Sequence, residues 1–360
     1  MPLNSPEVQR FSLAIGALIA LTWKDRRGVV PGGIVVPGFL VNQALLSTSW
    51  CIAILLISLM IHSIYRRWIQ QVDHQRRWPM YILGILSLVV STPIALLHIQ
   101  LGLLPSSIDS VTGTLLPGVI AFNMHRQGLG RVLSGLAIVT TITGLLLAAL
   151  LLVGTAALQL DFDQLNHYYL HAPRLQIRAH LLQFLAALLV GSAIYRRTGM
   201  RPGGYMVAPV AAALLLSPLS AVMFIAGCLI VELSVRWLMH ASLIIGLQRY
   251  GAALLFSIGY VWGIELAWIQ LGMLALPFQG NHILVIIAIL SYANDAILEG
   301  RSRVLPWMLA MIAMGFATLL LTQAWLASGI YPQALPQKRP INMGSSSELR
   351  QRDPVRSLQR

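Results

Sequence analysis

Arg26 to Pro37 reads RRGVVPGGIVVP, and Arg197 to Pro209 reads RTGMRPGGYMVAP. The second stretch begins 171 residues after the first and carries one extra residue before its closing proline. A second pair follows at nearly the same spacing. Ala121 to Arg131 reads AFNMHRQGLGR and Ala293 to Arg303 reads ANDAILEGRSR, which aligns Ala121 with Ala293, Gly128 with Gly300 and Arg131 with Arg303 at an offset of 172. Two separate matches at one spacing point to an internal duplication, a common architecture of transporters and membrane complexes. Each copy is a module of roughly 150 to 170 residues, close to an ordinary domain length.

What surrounds these stretches is apolar. Hydrophobic residues make up 57% of the 360-residue chain, charged residues only 10%, and the mean hydropathy is +0.73. A soluble domain carries about a quarter of its residues as charges to keep its surface solvated. Apolar runs fall at about 8–23, 28–46, 48–65, 79–98, 111–125, 132–157, 180–195, 203–217, 219–237, 250–272, 282–298 and 304–327. A perpendicular span needs ~20 residues, and the runs starting near Gly28, Thr112, Pro202 and His282 are short or broken by Pro and Gly. The expectation is an all-α, polytopic integral membrane protein with about 8–12 membrane segments. Its broken segments are tilted or re-entrant, shielded by neighbouring helices.

Cations punctuate the runs: Lys24, Arg26 and Arg27; Arg66 and Arg67; Arg76 and Arg77; Arg126 and Arg131; Arg196, Arg197 and Arg201; Arg236 and Arg249; Arg301 and Arg303. The net charge of +13 therefore reads as the positive-inside bias rather than a nucleic-acid surface. A pair of runs separates successive clusters, so the clusters share one face, taken as cytoplasmic. Both termini then lie outside, and both copies start with the same sidedness, which makes the repeats parallel. Arg10 before the run from Phe11 to Thr22 superficially resembles a signal-peptide start. No small-x-small cleavage site follows, and the stronger cation cluster lies after the run, which favours an uncleaved first helix. The expected organisation is a first membrane module over 1–157, an outer loop over 158–179, a second, diverged module over 180–327 and a basic disordered tail over 328–360.

Gly-x-x-Pro-Gly-Gly at Gly28–Gly33 and again at Gly199–Gly204 follows a basic cluster in both copies. It reads first as a tightly packed helix start. Its alternative reading is an anion site, with free amides of Gly32, Gly33, Gly203 and Gly204 beside Arg26, Arg27, Arg196 and Arg197, and with Arg126 and Arg131 sharing that face. No Lys-Ser/Thr follows the glycines, so it is not a P-loop. Intramembrane acids are costly and usually face a partner or a wet cavity. Glu232, Glu265, Asp295 and Glu299 lie in or beside apolar runs, all in the second copy. Asp295 and Glu299 align with Asn123 and Gln127, so the first copy keeps the shape and drops the charge. The two acids are four apart, hence on one helix face, beside Arg301 and Arg303, and Glu265 is the deepest buried acid.

Cys51 and Cys228 sit in apolar runs as packing residues, with no disulfide framework or metal spacing. His167 and His171, near Asp161 and Asp163, lack a third ligand, so no metal is expected. No Gly-x-Ser-x-Gly elbow or other catalytic set is present, and no cofactor is expected.

RRGVVPGGIVVPGFL at Arg26–Leu40 and LLPGVIAFNMHRQGLGR at Leu115–Arg131 resemble the two signatures of the PgsC/CapC proteins of poly-γ-glutamate capsule synthesis. The likeness covers the first copy from about Leu13 to Leu152. In the second copy the AND of Ala293–Asp295 fits the family's Ala-Asn turn better than AFN does. Pro117-Gly118, however, has no counterpart near Ile289-Leu290, and Pro37-Gly38 becomes Pro209-Val210. A typical member is one such module, so this chain resembles a fused pair. The resemblance implies a non-catalytic membrane subunit of a synthesis and export complex in the bacterial inner membrane. Its implied partners are a cytoplasmic ATP-dependent amide ligase (PgsB/CapB-like), other capsule subunits and the anionic polymer. The competing readings are a free-standing secondary transporter of a small acidic solute and, third, a membrane-embedded enzyme using His167/His171 or Glu265.

Overall fold

The computed structural model describes residues 5–69, 79–105, 112–156, 177–200, 207, 210, 214, 218–272, 276–278 and 281–327. Gly203, Gly204, His167, His171 and the tail from 328 lie outside these. Among the described residues every regular element is helical: α1 (Pro6–Arg27), α2 (Val36–Leu46), α3 (Thr48–Ile64, continued by a π turn over Tyr65–Ile69), α4 (Pro79–Gln100), α5 (Leu116–Gln127) and α6 (Leu129–Ala156) in the first copy. The second copy supplies α7 (Ile177–Thr198), α8 (Pro218–Ser242), α9 (Leu247–Gln270), α10 (His282–Glu299) and α11 (Arg301–Ala327). Seven of these are long and apolar enough to cross a bilayer: α3 with its π turn, α4, α6, α8, α9, α10 and α11. Between their charged ends, many of the large side chains they leave uncovered are apolar, as at Leu56, Leu145, Leu152, Val222, Leu233 and Leu309. In water that surface is untenable; against lipid tails it costs nothing.

Local chemistry sets the helix ends. Ser5 caps α1 by accepting a hydrogen bond from the Val8 amide at 3.4 Å, and Pro6 takes the first position, where no amide partner is needed. Glu7 occupies the first turn and Lys24, Arg26 and Arg27 the last, each sign matched to the helix dipole. Gly28 ends the helix with φ +72°, its amide donating to the Lys24 carbonyl at 2.7 Å. These caps place Arg10 inside the helix rather than ahead of it.

The duplication is written in the backbone. Gly199 ends α7 with φ +70° as Gly28 ends α1 with +72°. Gly128 and Gly300 cap α5 and α10 with φ, ψ of 94°, 139° and 92°, 134°. Gly102 and Gly272, which close α4 and α9, both have φ +71°. Helix neighbours repeat as well: α3, α4 and α5 pack mutually in the first copy, and α8, α9 and α10 in the second. Across the copies the docking is reciprocal, α1 against α9 and α7 against α4. Both copies accordingly share one compact unit, Met1–Leu320, rather than forming two bodies; Leu321–Arg360 forms the second unit.

Three expectations need correction. The Pro31-Gly32-Gly33 turn does not open a helix: α2 starts at Val36, with Pro37 in its first turn. The Ala-Asn segments at Ala121–Asn123 and Ala293–Asp295 are not turns but lie within α5 and α10, the chain turning later at Gly128 and Gly300. The run from His282 is neither short nor broken. Pro117 and Gly118 hold the start of α5 at Leu116, whereas Ile289 and Leu290 at the equivalent places let α10 run for 18 residues from His282. With 78% of its apolar window buried, α10 is the inner helix of the second copy.

Small residues set the closest crossings. A Cβ on Gly16 of α1 would stand 2.5 Å from the Gly38 nitrogen of α2, and one on Gly38 would stand 2.5 Å from the Ser12 carbonyl oxygen. The Ser12 hydroxyl lies 2.7 Å from both the Gly38 carbonyl oxygen and Asn42 Oδ1 and donates its one proton between them, stitching the pair. Elsewhere the fully buried Glu232 of α8 receives Arg236 at 3.0 Å and Arg301, the first residue of α11, at 3.0 Å. The expected cluster of Arg301 with Asp295 and Glu299 is thus replaced, as far as Arg301 is concerned, by a clip between α8 and α11.

Two outcomes follow for stability, read as thermal inactivation of the detergent-solubilised chain. Gly38→Ala drives α1 from α2 and costs about 1–3 kcal/mol, while Gly259→Ala, with nothing within 4 Å, is neutral or stabilising. Glu232→Gln leaves two guanidinium groups without their carboxylate and is the more damaging change. Arg236→Gln and Arg301→Gln each leave Glu232 one arginine, and their side chains are already 41% and 43% exposed, so each costs under about 1 kcal/mol. Equal losses for all three would show that the carboxylate is not the centre of the clip.

Candidate functional site

The irregular segment Val29–Val35 is pinned by α5. Asn123 donates to the Gly32 carbonyl at 2.8 Å. Gln127 accepts from the Val30 amide at 2.7 Å and donates to the Val30 carbonyl at 3.3 Å and to Asn123 Oδ1 at 3.0 Å. These are the backbone groups that an irregular segment at a membrane surface leaves without helical partners. Asn123 and Gln127, four apart on one face, supply substitutes. The left-handed φ of Gly32, +70°, and the φ of +132° at Gly33 explain why glycine is needed at both.

Between this pinned loop, α5 and the second copy lies a cleft of about 650 Å³. Among the described residues its cations are Lys24 at the end of α1, Arg126 on α5 and Arg249 on α9, and no acid lines it. Deeper, its walls are apolar: Ile34, Phe39, Leu116, Val119 and Ile287. On α5 the lining positions 116, 119, 123, 126 and 127 form one stripe, and on α10 the positions 287, 294 and 298 form another, as a helical period requires. Since 287 to 298 spans 11 residues, the cleft runs about 16 Å along α10. Arg249 donates to Asn294 Oδ1 at 3.3 Å, and Asn294 donates to the buried Asp295 at 3.1 Å, which fixes one cation in the wall. The arrangement suits an anion that bears several charges and also has apolar stretches.

The sequence-selected residues divide between this cleft and other places. Gly33, Asn123, Arg126 and Gln127 line it. Arg27 and Arg131 instead share a smaller pocket of about 390 Å³ with Trp23, whose ring Arg27 overlies at 5.6 Å. Arg26 lines neither pocket, Arg196 and Arg197 lie in the last turn of α7, and Glu232 belongs to the α8–α11 clip. Asp295 is buried behind Asn294, and Glu299 is half-buried at the end of α10. Cys228 is buried and Cys51 half-buried, both free thiols. Among the described residues no cluster of metal-ligating side chains occurs.

Glu265 is fully buried on α9 and paired with Arg10 of α1, itself fully buried. Beside them, His282 of α10 and Gln9 of α1 lie 3.1 Å apart, and Glu7 is buried one turn earlier on α1. By position in the sequence Arg10 reads as a flank of the first apolar run. The Ser5-Pro6-Glu7 start signal would have placed it a full turn inside a helix. Lys24 and Arg249 stood only among the flanking cations, and Asn294 carries no mark in the sequence, its counterpart being Phe122. Their convergence is a product of docking between copies.

The profile of the family described as capsule biosynthesis CapC matches residues 15–133 and again 186–295. The two segments start at equivalent places in the two copies and together cover more than half of the chain. No curated protein and no solved structure matches it. The tandem match falls on the helices that build the cleft, and the chain belongs to the CapC family of capsule biosynthesis proteins.

Proposed function

We propose that this capsule biosynthesis membrane protein is a non-catalytic subunit of a poly-γ-glutamate synthesis and export complex. It anchors a cytoplasmic ATP-dependent amide ligase and receives the anionic polymer as it is made. In this reading the chain sits in the bacterial inner membrane with its basic end toward the cytoplasm and both termini outside. The modules 1–157 and 180–327 act as the two halves of one receiving site.

The observation that carries the proposal is the cleft. Three cations without an acid among its lining residues open into an apolar interior. A polyglutamate chain offers carboxylates separated by methylene and amide groups, which matches that alternation. Charged mouths of low-dielectric clefts also concentrate counter-ions and speed their capture. Gly32, Gly33, Arg26, Arg27, Arg131 and the equivalent residues Arg196, Arg197, Gly203 and Gly204 then contribute to the potential at the same end or to partner contact.

The test uses inner membranes that carry the ligase partner, supplied with ATP and labelled glutamate, and counts label in acid-precipitable, protease-resistant polymer. Label is expected only when this chain is present. Replacing Lys24, Arg126 and Arg249 together by Gln is expected to lower it at least tenfold with insertion intact. Polymer formed equally with and without the chain would remove it from synthesis. Saturable uptake of a small acidic solute by vesicles holding this protein alone would favour an independent transporter.

A further inference from the structure

The buried pair Arg10–Glu265 sits on two of the helices that contribute to the cleft, α1 and α9, and a third, α10, reaches it. α1 gives Lys24 to the mouth and Arg10 to the far side. α9 gives Arg249 to the mouth and Glu265 to the far side. α10 gives Asn294 near the mouth, Ile287 at depth and His282, which meets Gln9 beside the pair. From Ile287 to His282 the rise along α10 is about 7.5 Å. The polar group therefore lies about 7.5 Å farther along α10 than the cleft's lining residues, on the side away from the mouth.

The pair is not required to join the copies. Docking is reciprocal, and the place equivalent to Arg10 on α7 is Leu181, counted from the helix starts at Pro6 and Ile177. The place equivalent to Glu265 on α4 is Ala95, counted from Gly102 and Gly272. Apolar side chains thus serve the second interface between the same elements. Removing two charges from water is costly, and an apolar replacement of similar volume is often as stable or more so. An ion pair kept at only one of two quasi-equivalent contacts therefore points to a role other than adhesion.

We infer that Arg10 is a second carboxylate-binding site, held by Glu265 until a carboxylate of the polymer advancing from the cleft takes its place. The inference rests on the polymer reading above. The incoming carboxylate takes over the guanidinium Nη2 contact that Glu265 Oε2 makes, and the displaced Glu265 carboxylate, which cannot stay buried as an unpaired ion, takes a proton from water or is hydrated as the passage opens. Released from Arg10, α9 is free to part from α1 at the far end, and the passage opens only when an anion occupies it. With the site empty, the ion pair and the Gln9–His282 contact close it.

Binding of a labelled γ-linked glutamate oligomer to the full chain in lipid nanodiscs tests this. Glu265→Gln removes the internal competitor and is expected to tighten binding about tenfold. Adding Arg10→Gln to it is expected to abolish that gain. Glu265→Gln that binds as the unaltered chain does, or more weakly, overturns the exchange and leaves the pair as a lock. Oligomer that does not bind the unaltered chain at all overturns the polymer reading, and the exchange with it. Should Glu265→Gln fail to insert, the unaltered chain is labelled with an apolar carbodiimide and Glu265 is followed by mass spectrometry. Saturating oligomer is expected to raise its modification several-fold, and unchanged modification overturns the exchange.

Discussion

The first long helix of each copy packs on the helix of the other that ends at Gly102 or Gly272, α1 on α9 and α7 on α4. Everything distinctive about the molecule depends on that reciprocal docking. Lipid tails are as apolar as leucine side chains, so helices in a bilayer gain nothing by hiding hydrophobic surface from one another. They associate through close packing and polar contacts. At the α1–α9 seam both devices are present: Leu21 fills the space above Gly251, Phe11 meets the Trp262 ring edge-on at 5.0 Å, and Gln248 reaches Asp25 at 3.2 Å. At the α4–α7 seam Leu188 sits over Gly84, and the rings of Tyr81 and Tyr195 lie 5.5 Å apart. The cleft is what remains where the loop and α5 of one copy face α10 of the other.

The two copies have diverged around this shared plan. Gly118 lets α5 approach α4 so closely that a Cβ there would stand 2.6 Å from the Leu83 carbonyl oxygen. The second copy replaces that crossing with leucine and a longer, more enclosed helix. It also takes the charges. Asn123 and Gln127 serve a loop with neutral amides, while the aligned Asp295 and Glu299 are acids. Asp295 stands behind the Asn294–Arg249 contact that fixes one wall of the cleft.

Much of the fold was legible in residues alone. Apolar runs gave the helices, and the two Gly-rich matches gave the duplication, because a positive φ at Gly28 and Gly199 or at Gly128 and Gly300 admits few residues other than glycine. Asn123 and Gln127 stood out by their alignment with acids, and Glu265 by its depth. The break expected near His282 failed because the signal there was a short run, and run length does not distinguish a helix shielded by neighbours from one that is interrupted. Arg301 looked like a partner for the acids nearest in sequence; it turned instead to Glu232, 69 positions away, because that carboxylate is buried and needs the charge.

By itself the sequence determined that the chain lives in a membrane, that it is built twice from one module, and that its cations gather at the ends of helices. Those properties are fixed by composition and by contacts within a few residues. Only the tertiary structure decided that Lys24, Arg126 and Arg249 surround one cleft and that Arg10 belongs to Glu265, 255 residues along the chain. The physical reason is that helix-to-helix docking in a bilayer is chosen by the shape of small-residue surfaces. That shape is a property of two faces together and is written in neither run alone.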